Sequence, residues 1–348
     1  MRCLRAILAA NIVVLAVSAA AATDDATLLK QAQQIFRPLP KDMSTSGTQD
    51  VKERIALGRL LFFDPRITVD GNVSCATCHL PALYGTDGLS KSIGVQQRPH
   101  PRNAPTVLNS GLNTIVHWRG DRESLEDQAS KALGSPITNG QPDVGAALDR
   151  LRSIPGYAPL FEAAFPGDAA PINVGNVASA ISAYERTLVT PAPFDTYLAG
   201  DAEALSPSAR SGLATFINFG CTACHNGVGV GGGMYKKFGI VEDYWAATGS
   251  QNIDKGRADV TNNPADLYVF RVPSLRNVAM TAPYFHDGSV ATLSDAVSVM
   301  ARVQLGRKLS DREVDDIVSF LKSLTGELPS EFAMAPVLPP AAAIPVSR

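Results

Sequence analysis

The sequence predicts a mainly α protein of two similar domains, and three observations carry that prediction. The 348 residues contain two copies of one motif, Cys75-Ala76-Thr77-Cys78-His79 and Cys221-Thr222-Ala223-Cys224-His225. Each copy lies between segments whose apolar residues recur at helical spacing. Alternating strand patterns are few. At 45% hydrophobic, a chain of this length can bury two modest cores.

The elements follow in order. Residues 1–22 read as a secretory signal: Arg2 and Arg5 precede a mostly apolar run, Ile7 to Val17, which ends in small residues near Ala22. That run is short and Ala-rich for a membrane-spanning helix, so a cleaved signal and export to the periplasm are expected. The first domain, 23–190, begins with a helix over Val51–Phe63 and then its motif. Further helices are expected at about Ser124–Leu133, Val144–Ile154 and Ala158–Phe165. A closing helix over Asn176–Leu188 places Val177, Ile181, Tyr184 and Leu188 on one face. Pro, Gly and Ala dominate Thr190–Ser208, which gives a linker at 191–207.

The second domain, 208–326, repeats the plan. A helix over Ser208–Phe219 precedes the motif. A helix with Leu293, Ala296, Val297 and Met300 on its buried stripe follows. The closing helix Asp311–Leu324 opens on a capping box of Ser310 and Glu313. The Gly-rich stretch Gly227–Gly239 has neither the spacing nor the preceding strand of a phosphate loop, and is expected to be a flexible loop at a cofactor edge. The tail 327–348 holds five prolines and is expected to be extended.

Cysteine arithmetic narrows the chemistry. Cys3 precedes the apolar run and leaves with the signal, so the four remaining cysteines all lie in the two motifs. A lone Cys-x-x-Cys suits a redox dithiol or half of a zinc site. Here a His follows the second Cys directly in both copies, which suits covalent haem: two thioether bonds, with His79 or His225 as an axial iron ligand. A helix, a haem motif and a closing helix make a cytochrome c-like domain, so the fold class is mainly α, two such domains, each around one covalently bound haem c. Met234, Met280 and Met300 are the methionines available as second axial ligand to the haem of His225, and spacing alone does not choose among them. Without residues 1–22 the chain has 29 basic against 33 acidic side chains, a net charge of −4. No basic run or aromatic-basic interleaving points to nucleic acid.

Longer stretches carry a resemblance. Leu61-Phe62-Phe63-Asp64-Pro65-Arg66, Thr86-Asp87-Gly88 and Pro101-Arg102-Asn103 mark the first half. Val272-Pro273-Ser274-Leu275-Arg276-Asn277 and Thr281-Ala282-Pro283-Tyr284-Phe285-His286-Asp287-Gly288 mark the second. Over roughly Glu53 to Gly326 the chain resembles the bacterial di-haem cytochrome c peroxidases and the related methylamine-utilisation di-haem enzymes. The resemblance implies a low-potential peroxidatic first haem and a second haem that accepts electrons from a small cytochrome c or cupredoxin. It implies hydrogen peroxide as substrate, and a homodimer is compatible with it. By position it implies Met300 as ligand of the second haem, fourteen residues after His286, where the methylamine-type enzymes have Tyr. It implies Trp118 between the haems, Gln128 in the pocket above the first, and a calcium ion held by the Asn103 side chain and the carbonyls of Thr281 and Pro283.

The departures matter as much. Val95 stands where peroxidases commonly have a displaceable distal His, and Thr138 stands near their catalytic Glu; Ala132–Pro142 contains no carboxylate. Peroxide cleavage needs a group that moves a proton between its oxygens. His100 is the first candidate, then Asp143, His117 or water held by Gln128; since Val95 cannot bind iron, the haem of His79 is expected to be five-coordinate or loosely closed by His100. His117, beside Trp118, and His286 read as structural. The sequence therefore supports a periplasmic peroxidase active without prior reduction. The alternatives are a di-haem electron carrier or redox sensor, and an oxidase of a protein substrate, against which Met300 speaks.

Overall fold

The computed structural model describes residues 25–41, 43 and 51–341. The expected signal at 1–22 lies outside them, as does the end of the tail. Among the described residues no helix is long and apolar enough to cross a membrane.

Each half is built on one helix crossing. In the first, Lys52–Phe63 packs across Val174–Arg186, and Leu125–Leu133 covers the latter from the other side. The crossing is close because residue 58 is glycine: a Cβ there would lie 1.8 Å from the Ala180 carbonyl oxygen. In the second half Pro207–Asn218 packs across Asp311–Lys322, and a Cβ on Gly212 would lie 1.8 Å from the Asp316 carbonyl oxygen. One solution thus appears twice, a small residue where the helix before each motif meets the closing helix. Phe62 and Tyr184 fill the first core edge to face at 5.5 Å; Phe216 and Phe320 meet at 5.3 Å in the second. Ser310 and Glu313 cap the last long helix reciprocally, as their spacing predicts.

Three segments differ from expectation. The linker stretch contains helix Pro193–Leu198, and its Phe194, Tyr197 and Leu198 are buried in the second core. Phe194 and Phe320, at 5.3 Å, give that stretch an apolar payload that its Pro and Gly content conceals. The tail forms a helical turn, Ser330–Ala333, and sinks Phe332 into the first core, 6.2 Å from the Phe62 ring. The N-terminal helix at 25–35 packs Ala32 and Phe36 into the second core. The chain ends therefore cross: the first described segment supports the second half, and the last supports the first.

One two-stranded sheet interrupts the helices. Tyr235–Lys237 pairs antiparallel with Val269–Arg271, Tyr235 opposite Arg271. The Gly-rich loop before it is pinned rather than free. Gly231 N–H donates to the Asn226 carbonyl at 2.8 Å, Gly232 N–H to the Val272 carbonyl at 3.0 Å, and Ser274 Oγ to the Gly229 carbonyl at 2.8 Å.

Candidate active site

The two motifs line two cavities of about 400 Å³ each, within the range of cofactor pockets. In the first, Cys75–Cys78 is a single helical turn that Ser74 and Thr77 cap reciprocally. His79 Nδ1 lies 2.9 Å from the Gly85 carbonyl, which leaves Nε2 for iron. In the second, the turn Cys221–Ala223 follows Gly220, whose φ of 84° glycine accepts without strain. His225 is buried, and burial pushes its pKa down to about 4 against the pull of the Val230 and Pro273 carbonyls. Its imidazole is therefore neutral and ligand-ready at neutral pH. Gly231 passes so close that a Cβ would stand 3.1 Å from His225 Nδ1 and 2.4 Å from the Pro273 oxygen.

The sulfur environments argue against a redox dithiol. Burial pushes the Cys75 thiol up to about 12 and those of Cys78 and Cys221 to about 11, opposite to what an attacking thiolate needs. No group of three metal-ligating side chains of the zinc type occurs among the described residues. Haem fits better, and a buried cation supports the fit. Arg271 lines both cavities, and burial lowers its pKa to about 10. Its Nε donates to the His117 carbonyl at 3.1 Å and its Nη1 to Asn113 Oδ1 at 3.3 Å, but no carboxylate partners it among the described residues. Haem brings carboxylates of its own.

The two cavities differ in what lines them besides the motifs. Met300, on helix Leu293–Leu305, lines the second cavity with His225. Met234 and Met280 do not line it, and Met280 is 46% exposed. No methionine lines the first cavity among its described residues. Instead Gln128, His100 and His117 face it together with Thr138, Asp121 and Glu185. Val95 is fully buried outside that lining, with its N–H donated to the Ile137 carbonyl at 2.9 Å. Asp143 is occupied elsewhere, accepting from Ala146 N–H as a helix cap.

His117, read from the sequence as structural, stands beside a carboxylate on the wall of the first cavity. Its Nδ1 lies 3.4 Å from Asp121 Oδ1 across a turn closed by Val116 N–H donating to the Arg122 carbonyl at 3.2 Å. Burial works to raise the Asp121 pKa, but His117 and the guanidinium groups of Arg119 and Arg122 outweigh it and hold the carboxylate well below its usual range. Burial also lowers the His100 pKa, and no carboxylate hydrogen-bonds its ring among the described residues. Glu185 is buried on the closing helix, and burial pushes its pKa up to about 8. Sequence reasoning passed over Asp121 and Glu185. The His-x-x-x-Asp spacing was the available signal for Asp121; Glu185 is one of several polar residues on a regular amphipathic helix and carries no local signal.

Trp118 lines both cavities, and its Nε1 donates to the Asn103 carbonyl at 2.9 Å. Asn103 N–H in turn donates to the His286 carbonyl at 2.8 Å, tying the halves together beside it. Asn103, Thr281 and Pro283 share the wall of the second cavity. The carbonyls of Thr281 and Pro283 accept no hydrogen bond among the described residues, so this all-oxygen set suits calcium.

Comparisons with known proteins identify the family. Residues 52–203 match the family described as di-haem cytochrome c peroxidase. The chain is 42% identical to the cytochrome c551 peroxidase of Pseudomonas aeruginosa, over 88% of this chain and 89% of that protein. It is 36% identical to the methylamine utilization protein MauG of Methylorubrum extorquens, over 79% of each chain. Among solved structures, a MauG-like protein associated with microbial copper homeostasis superposes with a TM-score of 0.75 at 30% identity, covering 86% of this chain and 97% of that one. The chain belongs to the di-haem cytochrome c peroxidase family, oxidoreductases that hold two haem groups, reduce peroxide and draw on a redox donor protein.

Proposed function

We propose that the protein reduces hydrogen peroxide in the first cavity with electrons that enter at the second. One observation carries this reading: Met300 and His225 line one cavity, whereas proton-handling side chains and no methionine line the other. Haem, attached through Cys75 and Cys78 and through Cys221 and Cys224, supplies the iron and the redox couples. The thioether of Met300 favours electron transfer over substrate binding at the second centre.

In the first cavity the His117–Asp121 pair performs the proton work. Asp121 lies beside Nδ1, so His117 takes the proton of the inner peroxide oxygen at Nε2 and delivers it to the outer oxygen, which leaves as water when the O–O bond breaks; two electrons from the donor and two protons from solvent then carry the inner oxygen to a second water. Gln128 orients the peroxide by hydrogen bonding. His100, without an orienting carboxylate, plays the secondary part. Trp118, on both cavity walls, is the conduit between centres. Val95 lies outside the first cavity and cannot close it, which leaves His100 on the cavity wall as the side chain that would have to leave if turnover needed prior reduction; we take the cavity as open and turnover as independent of prior reduction.

The donor, a small cytochrome c or cupredoxin, docks where Lys236, Lys237 and Ile240 line the mouth of the second cavity, beside Val241. Ile240 and Val241 are 57% and 61% exposed, an apolar centre for such a contact. A calcium ion on Asn103, Thr281 and Pro283 stiffens the wall between the cavities. The signal at 1–22 directs the enzyme to the periplasm. The test is steady-state peroxide consumption with a reduced small cytochrome c, comparing fully oxidised with half-reduced enzyme. Equal turnover is expected, and no turnover in either state would overturn the reading.

A further inference from the structure

We propose that oxidising equivalents leave the space between the cavities by a second route, a file of aromatic rings from Trp118 to a surface pair, Trp245 and Tyr268. The inference rests on peroxide reduction in the first cavity. It adds an exit that uses neither Met300 nor the donor.

The rings are in contact throughout. The Trp118 and His286 centroids are 6.4 Å apart, and those of His286 and Tyr244 are 5.2 Å apart. Tyr244 meets Trp245 at 5.1 Å, and Trp245 meets Tyr268 at 4.8 Å. All four contacts fall within the range of packed aromatic pairs. Tyr244 is fully buried and His286 is 2% exposed, whereas Trp245 and Tyr268 are half-buried at the surface. The file therefore runs from the interior outward and ends in the two residue types most easily oxidised by one electron.

The array is held rigidly. Tyr268 has φ of 62° and Phe285, packed in the same cluster, has φ of 71°, a region that bulky residues seldom occupy. Tyr268 N–H donates to the Lys255 carbonyl at 2.9 Å, and its own carbonyl accepts from Phe238 N–H at 2.8 Å. The Tyr244 hydroxyl accepts from Asp254 N–H at 2.9 Å. Phe238 stacks on Tyr244 at 4.7 Å, and Phe270 on His286 at 4.4 Å, so both bridging rings are clamped. Backbone strain retained around a ring file is the mark of a functional constraint.

Each transfer moves one electron. When donor is absent, an oxidising equivalent left by peroxide takes one electron from Trp118. Trp118 is refilled by one electron from Trp245 or Tyr268, with the His286 and Tyr244 rings as the bridge. The oxidised surface residue loses its indole or phenol proton to water, and a dissolved reductant later restores it. The route protects the cavities from oxidation when peroxide outruns the donor.

The test treats the holoenzyme with hydrogen peroxide, without donor, in the presence of a nitroso spin trap. Peptide mass spectrometry then locates the adducts, read per peroxide consumed. Adducts are expected on Trp245 or Tyr268, falling several-fold in Trp118→Phe. In the double variant Trp245→Phe/Tyr268→Phe, haem bleaching per peroxide is expected to rise several-fold while donor-driven turnover stays at the parent value. Peroxide consumption with donor but no adduct at either residue would overturn the exit alone, as would adducts that persist in Trp118→Phe. No peroxide consumption under any condition would overturn the peroxidase reading and the exit with it.

Discussion

His117 and Asp121 face each other across a tight turn, Nδ1 to Oδ1 at 3.4 Å, on the wall of the first cavity. The turn is held from outside by the second half: Arg271 N–H donates to the Trp118 carbonyl at 2.8 Å, and Arg271 Nε to that of His117. Gly120 completes it, with φ of 64° and no room for a Cβ against the Tyr235 hydroxyl. With Nδ1 beside a carboxylate, Nε2 is the nitrogen left to exchange a proton, the role proposed for it above.

The first prediction concerns that pair. His117→Gln is expected to lower kcat for peroxide by about 10²- to 10⁴-fold, the usual worth of a positioned acid-base group. Asp121→Asn should cost less, because the imidazole survives while its orientation loosens. His100→Ala should stay within a few-fold of the parent. Steady-state kinetics with a saturating reduced donor decide it. Equal losses at positions 100 and 117 would remove the special role of His117.

Glu185 predicts an unusual pH dependence of stability. Burial raises its pKa to about 8 in the folded protein, from an unperturbed value near 4.5. Between these values the folded state holds a proton that the unfolded state has released, so stability falls as pH rises through that window. Glu185→Gln should flatten this slope, leaving the variant more stable than the parent above pH 8 by a few kcal/mol. Denaturation of the holoenzyme at a series of pH values measures it. A parent curve that is flat between pH 5 and 8 would contradict the assignment.

The contrast between these residues and the motifs shows what sequence can carry. The Cys-x-x-Cys-His copies, the Ser310–Glu313 capping box and the stripe of Val177, Ile181 and Tyr184 are local patterns, and the structure keeps each in place. Met300 is one of three eligible methionines by spacing, and only the tertiary fold brings it to the wall of the cavity that His225 lines. His117 and Asp121 pair through a turn stabilised by Arg271, which lies far away in sequence. Phe194 sits in a stretch read as linker, Phe332 in a tail read as extended and Phe36 in a segment assigned to the first domain, yet large apolar side chains anchor each one to a core. Such docking depends on a pocket formed elsewhere, which no local period records.

The paired glycines predict matched instabilities. Gly58→Ala pushes a methyl group into the Ala180 carbonyl, and Gly212→Ala does the same at Asp316. Each should cost about 1–3 kcal/mol or more, as overpacking does. Gly175→Ala on the closing helix of the first half meets only Asn173 Oδ1 at 3.4 Å, and should stabilise by about 0.5–1 kcal/mol through helix propensity. Thermal scans of the holoproteins separate these cases. A tolerated Gly58→Ala would mean that the helices do not cross as closely as described.

The last prediction tests the division of labour between the cavities. Helix Leu293–Leu305 is fixed in register by Thr292 at its start, by Gly306 at its end, and by Gln304 Oε1 accepting from Gly239 N–H at 2.6 Å. That register aims Met300 at the cavity of His225. Replacing the thioether by imidazole removes the ligand that raises the potential, so Met300→His should lower one midpoint potential by on the order of 100 mV or more. The other midpoint should not move, because no methionine lines its cavity. Donor-driven turnover should fall with it, since electrons then enter a centre that holds them poorly. Met234→Leu and Met280→Leu should leave both potentials in place. Potentiometric titration of the three variants reads this directly, and a shift produced by Met234 or Met280 instead of Met300 would reassign the ligand and with it the path of the electrons.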